Sequence, residues 1–288
     1  MKLIACGVAA AAVLTACAHA TTGNPIAVNG APGTGVGQAG GTVTMTALAK
    51  QADDSTSQHT TSKATMTATV NGADVIDAKG QQRYKPDLAV DMTMSMNLQA
   101  LVGASGQTSG APQGMPTTID MEMVLLNKKL YMKLPTQLSG SLGGDSASKP
   151  WLEIDPNSGG SLGQSFGSMI DMAQQNSDPS KFLDDLRDAG ATINSSTPEQ
   201  LNGQQTTHYS ITVDTKKLLE HYMSGAQQQQ LNGSLSSMPK TLPMDVWMNS
   251  DNLPVRVTMT VPAGGLTMKT RVDYTDWDQP VTITAPPA

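Results

Sequence analysis

The stretch Val90-Asp91-Met92-Thr93-Met94-Ser95-Met96-Asn97-Leu98 decides the fold that this sequence predicts. Apolar side chains stand at every second position, and polar side chains stand between them. Because successive residues of a β-strand point to opposite faces of a sheet, this alternation predicts a strand with one apolar face and one wet face. A sheet that is dry on one side only is typically antiparallel.

The same alternation continues on both sides of that stretch. Residues 64–70 alternate small or apolar side chains with threonine, and residues 117–134 predict a hairpin that turns at Asn127-Lys128-Lys129. The dipeptide Asn202-Gly203 is typical of a tight hairpin turn. Further strands are predicted at 151–154, 191–197, 207–213, 244–248, 255–261 and 266–274.

Helical periodicity replaces the alternation in the middle of the chain. Apolar residues at i, i+3, i+4 and i+7 predict a helix over 166–175. A second helix is predicted over 179–189, where Asp178 fits the N-cap and Gly190 fits the C-terminal stop. Asp214 would cap a third helix. The predicted class is therefore α+β, an antiparallel sheet whose apolar face is covered by helices.

The N-terminus is typical of a bacterial lipoprotein signal peptide. Lys2 and a short apolar run precede the box Leu14-Thr15-Ala16-Cys17, and the run is too short to span a bilayer. Cleavage at the box would make Cys17 the first residue, carrying diacylglycerol and palmitate as a lipid anchor. The alternative is an ordinary secretory signal cut near Ala18-His19-Ala20.

Three segments follow from this interpretation. Residues 1–16 are the predicted signal peptide, residues 17–41 a flexible linker, and residues 42–288 a single domain. The G-x-G-x-x-G match at 35–40 lies in the linker without a strand before it, so a nucleotide site is not predicted. The chain has 2 cysteines, Cys6 falls in the signal peptide, and the mature fold is expected to contain no disulfide.

Composition narrows the function classes. The 288 residues carry a formal net charge of -6 without basic clusters, which argues against nucleic acid and against electrostatic docking on anionic membranes. The chain has 18 Met against 2 Phe and 3 Trp, so apolar volume comes mainly from flexible side chains that adapt to variable contents. No cofactor is implied. The four histidines are scattered, and no pair has metal-ligand spacing.

The layout of the whole chain resembles the actinobacterial LppX/LprA/LprF/LprG lipoproteins. The resemblance rests on the lipoprotein box and linker, a helix at 46–54, long hairpins, two mid-chain helices and two C-terminal stretches, Asp251-Asn252-Leu253-Pro254-Val255-Arg256 and Tyr274-Thr275-Asp276-Trp277-Asp278-Gln279-Pro280-Val281. It implies a fold like that of LolA and LolB, a strongly curved, half-open antiparallel barrel with helices on its concave apolar face. The methionine content and the Gln/Ser tract at 225–237 depart from the family pattern.

Members of that family are implied to hold acylated lipids or glycolipids in a cavity and to move them across the cell envelope. The sequence is therefore expected to encode a lipid-anchored, non-enzymatic lipoprotein on the extracytoplasmic face of the cell membrane, served by an envelope transporter. Helices 166–175 and 179–189 would form a lid. The predicted cavity lining, taken from alternation and helix faces, is Met66, Met92, Met94, Met96, Met121, Met123, Leu125, Phe166, Ile170, Phe182, Leu186, Ile211, Val257 and Met259.

Two other functions remain open. Three methionines on one strand face, with two more on the next strand, offer soft thioether ligands of the kind that select Cu(I), so a copper-binding module is one alternative. A structural or sensory surface lipoprotein with an ordinary packed core is the other.

Hydrolysis has weaker support. Gly163-Gln164-Ser165-Phe166-Gly167 matches G-x-S-x-G, and Asp184, Asp185 and His208 follow in the order of a hydrolase triad. That motif requires a strand running directly into a helix within a parallel sheet, whereas the strands here are predicted to be antiparallel. The chain is therefore not predicted to be an enzyme, and no catalytic residue is assigned.

Overall fold

A computed structural model of the chain describes residues 43–104, 117–133, 151–155, 180–222, 238–263 and 265–287. Within these ranges the helices are α1 (Met45–Thr56), α2 (Leu98–Ala104), α3 (Ser180–Asp188) and α4 (Thr215–Tyr222). The strands are β1 (Thr61–Val70), β2 (Ala73–Arg83), β3 (Ala89–Asn97), β4 (Thr118–Leu126), β5 (Lys129–Lys133), β6 (Leu152–Ile154), β7 (Thr192–Leu201), β8 (Gln204–Asp214), β9 (Thr241–Asn249), β10 (Pro254–Ala263) and β11 (Leu266–Thr275).

The strands follow the order β6-β5-β4-β3-β2-β1-β11-β10-β9-β8-β7, which does not close on itself. Every strand pair whose register is described is antiparallel. The predicted α+β class with an open antiparallel sheet is confirmed. The chain divides into two compact units, the first with β1–β6, α2 and β11 from Met268, the second with α1, α3, α4 and β7–β10.

The first unit is built on long antiparallel ladders. Alternation places one row of side chains along a single face of five neighbouring strands, namely Val272, Met66, Ala78, Met94 and Met121. Cross-strand neighbours of this kind are the units of sheet stabilisation. One face of the unit therefore carries this apolar row, and the alternation of β1, β3, β4 and β11 predicts its members on those strands.

The opposite face of the first unit has a small core of its own. Ala89, Val124 and Tyr131 are buried there together with Ile283 from the C-terminal segment, and Leu126, Trp151 and Val281 pack against them. The Gln81 amide donates a 2.9 Å hydrogen bond to the Thr282 carbonyl, which holds the segment on the sheet. The face that alternation predicts to be wet is thus partly dry where the chain end lies on it.

The second unit packs its sheet more deeply. Ile211 pairs with Met244, and Tyr209 pairs with Val246, on adjacent strands. All four are buried, and Val213 beside them is fully buried as well. Helix α3 packs against α1 and α4. Leu186 on α3 and Leu48 on α1 are fully buried.

Local sequence rules explain the turns and helix ends of both units. Asn127 and Lys128 have positive φ in the turn between β4 and β5, and Asn202 and Gly203 do so between β7 and β8. These are the left-handed conformations of a two-residue hairpin turn, which Asn and Gly adopt readily. Gly190, with φ +70°, ends α3 as predicted, because its left-handed conformation lets Gly190 and Ala191 donate to the Arg187 and Leu186 carbonyls.

Strand β2 and helix α2 were not predicted. Strand β2 carries Gly80 and Gln82 on the apolar face, and its pairing with β1 shifts register between Ala68 and Thr69. Its alternation is therefore hard to recognise. Leu98 was expected to end a strand but begins α2 instead. The Asn97 carboxamide caps that helix by accepting a 2.9 Å hydrogen bond from the Ala100 N–H.

Candidate functional site

The candidate site lies on the apolar face of the first unit. We call it the methionine face and define it by six residues on β3, β4 and β5, namely Met92, Met94, Met96, Met121, Met123 and Met132. The sequence places the first five of these on two strands without fixing how the strands align. The alignment decides whether the thioethers face one another.

The strand register brings the methionines into direct opposition. Met92 lies opposite Met123, and Met94 lies opposite Met121. Met132 on β5 lies opposite Met123 and extends that row by one strand. Directly opposed residues of an antiparallel pair have Cβ atoms about 4.5–5.5 Å apart, so methionine side chains can reach one another. Met96 lies opposite Ile119 instead of a methionine.

Burial divides the methionine face into two parts. Met92 is only 8% exposed and packs as a core residue does. Met94, Met96, Met121 and Met123 are half-buried. These four side chains keep part of their apolar surface in contact with water, which a fully packed core would not allow.

Small residues lie beside the methionines on the same face. Ala78 is the β2 neighbour of Met94, and Gly80 is the β2 neighbour of Met92. A Cβ atom at Gly80 would stand 2.7 Å from the Asp91 carbonyl oxygen and 3.2 Å from the Met92 Cβ, so no side chain fits there without displacing β3. The face therefore combines long flexible side chains on β3 and β4 with nearly flat backbone on β2.

Two other predicted lining residues of the first unit lie in packed surroundings. Met66 is 1% exposed. Leu125 is buried with Leu130 and Ile154, and the partly buried Met123 and Met132 pack against this cluster. Both residues share the face with the half-buried methionines but are core residues in this structure.

The predicted lining residues of the second unit occupy two elements. Ile211, Val257 and Met259 lie on one sheet face, where Met259 is half-buried and the other two are buried. Phe182 and Leu186 lie one turn apart on α3, with Phe182 half-buried and Leu186 fully buried.

Some predicted features lie outside the described residues. These are Cys17 with the signal peptide and the linker, Phe166 and Ile170 with the helix at 166–175, Asp178 at the start of the second helix, and the tract at 225–237. They stay predictions.

Burial raises the pKa of two ionisable groups in the second unit. Burial raises the pKa of the Tyr209 phenol above its ordinary value, because the charged phenolate would lose its hydration. Burial also raises the pKa of the Asp184 carboxyl on α3, and the neighbouring Arg187 guanidinium partly offsets this effect. Both shifts indicate a low-polarity environment beside the buried strand and helix faces.

The residues considered for a hydrolase triad do not come together in the described part of the chain. His208 Nε2 lies 2.8 Å from Asp245 Oδ1, and its Nδ1 lies 3.3 Å from Glu199 Oε2. Asp185 lies 2.9 Å from His221 instead, and Asp184 pairs with Arg187. The motif at 163–167 lies outside the described residues. His208 is therefore held by two carboxylates other than those that the sequence order suggests.

Within the described ranges, no group of three or more His, Cys, Asp or Glu side chains could hold a metal ion. No helix there is long and apolar enough to cross a membrane.

The fold is that of an α+β protein with an open antiparallel sheet. No protein-family profile matches the chain, and no curated protein matches it. Among solved structures it is similar to the lipoprotein LppX of Mycobacterium tuberculosis, with a TM-score of 0.43 and 16% identity over 83% of this chain and 98% of that one. It is also similar to LprF from Mycobacterium bovis, with a TM-score of 0.43 and 14% identity over 85% of this chain and 97% of that one.

A LolA superfamily protein from Nitrosomonas europaea has a TM-score of 0.24 and 10% identity over 85% of this chain and 96% of that one. LppX and LprF are two of the lipoproteins that the sequence layout resembles.

Met132 is the member of the methionine face that the sequence-based lining missed. The strand at residues 130–134 was predicted, and Met132 shares the face of Leu130 by simple alternation. Applying the period of two to every predicted strand would have found it.

Proposed function

We propose that the protein is a non-enzymatic lipoprotein that binds an acylated lipid or glycolipid along the methionine face and carries it across the cell envelope. The observation that carries this proposal is the half-burial of four methionines on one face, Met94, Met96, Met121 and Met123, of which Met94 and Met121 lie opposite each other. Apolar surface left in contact with water on a sheet face is typical of a binding site.

An acyl chain fits the chemistry of this face. Each methylene moved from water onto apolar side chains contributes about 0.8 kcal/mol, so a long chain gains substantial binding free energy without any specific polar contact. Methionine side chains have three rotatable bonds and a polarisable sulfur, and they adjust to chains of different length or branching. The β2 neighbours of Met94 and Met92 are the small residues Ala78 and Gly80.

The remaining parts of the proposal concern the anchor and the lid. Cys17 would carry the lipid that holds the protein on the extracytoplasmic face of the membrane. Residues 17–41 would form a flexible linker between this anchor and a lipid-binding domain over 42–288. Helices 166–175 and 179–189 would cover the bound chain, and an envelope transporter would deliver or receive it.

Native mass spectrometry tests the binding step. The chain from residue 18 onward lacks the lipidated cysteine, so any lipid that co-purifies with it is a non-covalent ligand. We expect a discrete added mass that organic extraction resolves into diacyl or triacyl species. A protein that stays free of ligand when offered membrane lipids would favour a surface lipoprotein with an ordinary packed core.

A pair of variants on one strand locates the binding face. Met94→Asp places a carboxylate where an acyl chain would lie, and we expect it to lower bound lipid more than tenfold because burying an unpaired charge is costly. Thr93→Asp is the matched control, since Thr93 is exposed on the opposite face of β3. Equal lipid content in both variants and in the unmodified chain would remove the methionine face from the proposal.

A further inference from the structure

We propose that the methionine face also binds a soft monovalent metal ion, Cu(I), through the thioethers of β3 and β4. The register puts Met94 opposite Met121 and Met92 opposite Met123. Met96 follows Met94 by two residues on the same face. Five sulfur donors thus belong to two adjacent strands and one face.

The spacing suits a site made of three sulfurs. Opposed residues have Cβ atoms about 4.5–5.5 Å apart, and diagonal neighbours about 7–8 Å apart. The methionine sulfur lies two bonds beyond Cβ and swings through two rotatable bonds, so an opposed pair and one diagonal neighbour can converge on a single ion. Met94 and Met121 form the pair, and Met96 or Met123 supplies the third sulfur.

The donor type selects the ion. Thioethers are neutral and soft, and in proteins they bind Cu(I) in preference to hard cations such as Mg²⁺ or Ca²⁺, which take oxygen ligands. Neutral sulfurs release no proton when they bind the ion, so this binding is expected to depend little on pH.

Access distinguishes this site from an ordinary core. Met94, Met96, Met121 and Met123 are half-buried, so part of each residue is in contact with solvent. Met244 and Met248 on β9 are also two residues of one strand face, but they are 3% and 2% exposed. Methionines therefore form a partly exposed group on β3 and β4 and a buried group on β9. The buried group serves as a control within the same chain.

Competition with a chromophoric Cu(I) chelator, under anaerobic conditions with ascorbate, tests the inference on the chain from residue 18 onward. We expect the protein to withdraw Cu(I) from the chelator. The double variant Met94→Leu/Met121→Leu should lose at least tenfold in Cu(I) affinity, whereas Met244→Leu/Met248→Leu should keep it. Leucine preserves apolar volume and costs little stability, and thermal unfolding of each variant verifies that it is folded.

X-ray absorption at the copper edge identifies the donors. A first shell made of sulfur alone supports the site, and a shell containing nitrogen or oxygen overturns it. The absence of Cu(I) uptake, or equal uptake by both double variants, overturns it as well.

The lipid proposal and the Cu(I) inference are tested by different measurements. Lipid uptake and Cu(I) uptake are measured separately on the unmodified chain, the first by native mass spectrometry and the second by competition with the chelator. A chain that binds lipid but no Cu(I) contradicts only this inference, and a chain that binds Cu(I) but no lipid contradicts only the proposed function.

Discussion

Two sheet faces built from the same alternating pattern are buried to different extents. On β8 and β9 of the second unit, Ile211 and Val246 are fully buried, and Met244 between them is 3% exposed. On β3 and β4 of the first unit, the opposed pair Met94 and Met121 is half-buried. Period-two alternation therefore fixes which side chains share a face, and the packing above that face decides whether they form core or remain open to a ligand.

Within the first unit, the burial of side chains changes along the row that crosses five strands. Val272, Met66 and Ala78 are at most 2% exposed, and the next two members, Met94 and Met121, are half-buried. Burial thus decreases along the row from β11 to β4. We interpret the buried part as structural and the half-buried part as functional, and Met121→Ala tests that division against two substitutions in packed cores outside the row.

Ile211→Ala is expected to have the largest effect. The side chain is fully buried, and removing three carbon atoms there leaves a cavity that costs about 3 kcal/mol of unfolding free energy. Chemical denaturation followed by circular dichroism measures it. A loss no larger than that of a half-buried methionine would mean that the face on β8 is not a packed core.

Ile283→Ala is expected to have an intermediate effect. Ile283 is 7% exposed in the small cluster on the opposite face of the first unit, and its truncation should cost about 2 kcal/mol, at the low end for buried aliphatic residues. The same denaturation experiment applies, with Thr284→Ala, which is exposed, as the control. Equal stability of both variants would show that the C-terminal segment does not stabilise the sheet.

Met121→Ala is expected to cost least, about 1 kcal/mol, because part of the side chain is already in water and its loss leaves no closed cavity. Lipid uptake should fall in the same variant even though stability hardly changes. A loss of 3 kcal/mol or more, with lipid uptake unchanged, would make Met121 a core residue and not a ligand contact.

Much of this architecture could be predicted from the sequence, because alternation, capping residues and turn dipeptides act locally. The hairpin at Asn202-Gly203 and the helix stop at Gly190 are examples in which backbone conformation follows from residue type. Strand β2 could not be recognised, since Gly80 and Gln82 interrupt its apolar face. The core around Ile283 was missed because it depends on a distant segment that lies on the sheet.

The candidate site was only partly predictable for the same reason. The pairing of Met92 with Met123 and of Met94 with Met121 follows from alternation together with the β3–β4 register, and alternation alone put these residues on one face without fixing that register. The difference in burial between Met66 and Met94 could not be predicted, because both occupy identical positions in the alternating pattern. What covers a strand is determined by the tertiary structure.

The most direct test of the central claim is to label the chain from residue 18 onward with a photoreactive acyl probe and to map the cross-linked residues by mass spectrometry. We predict that cross-links concentrate on the half-buried residues of β3 and β4, around Met94 and Met121, and are absent from Ile211 and Met244. Cross-links confined to β8 and β9, or spread evenly over exposed residues such as Thr93, would contradict the claim that the methionine face binds the lipid.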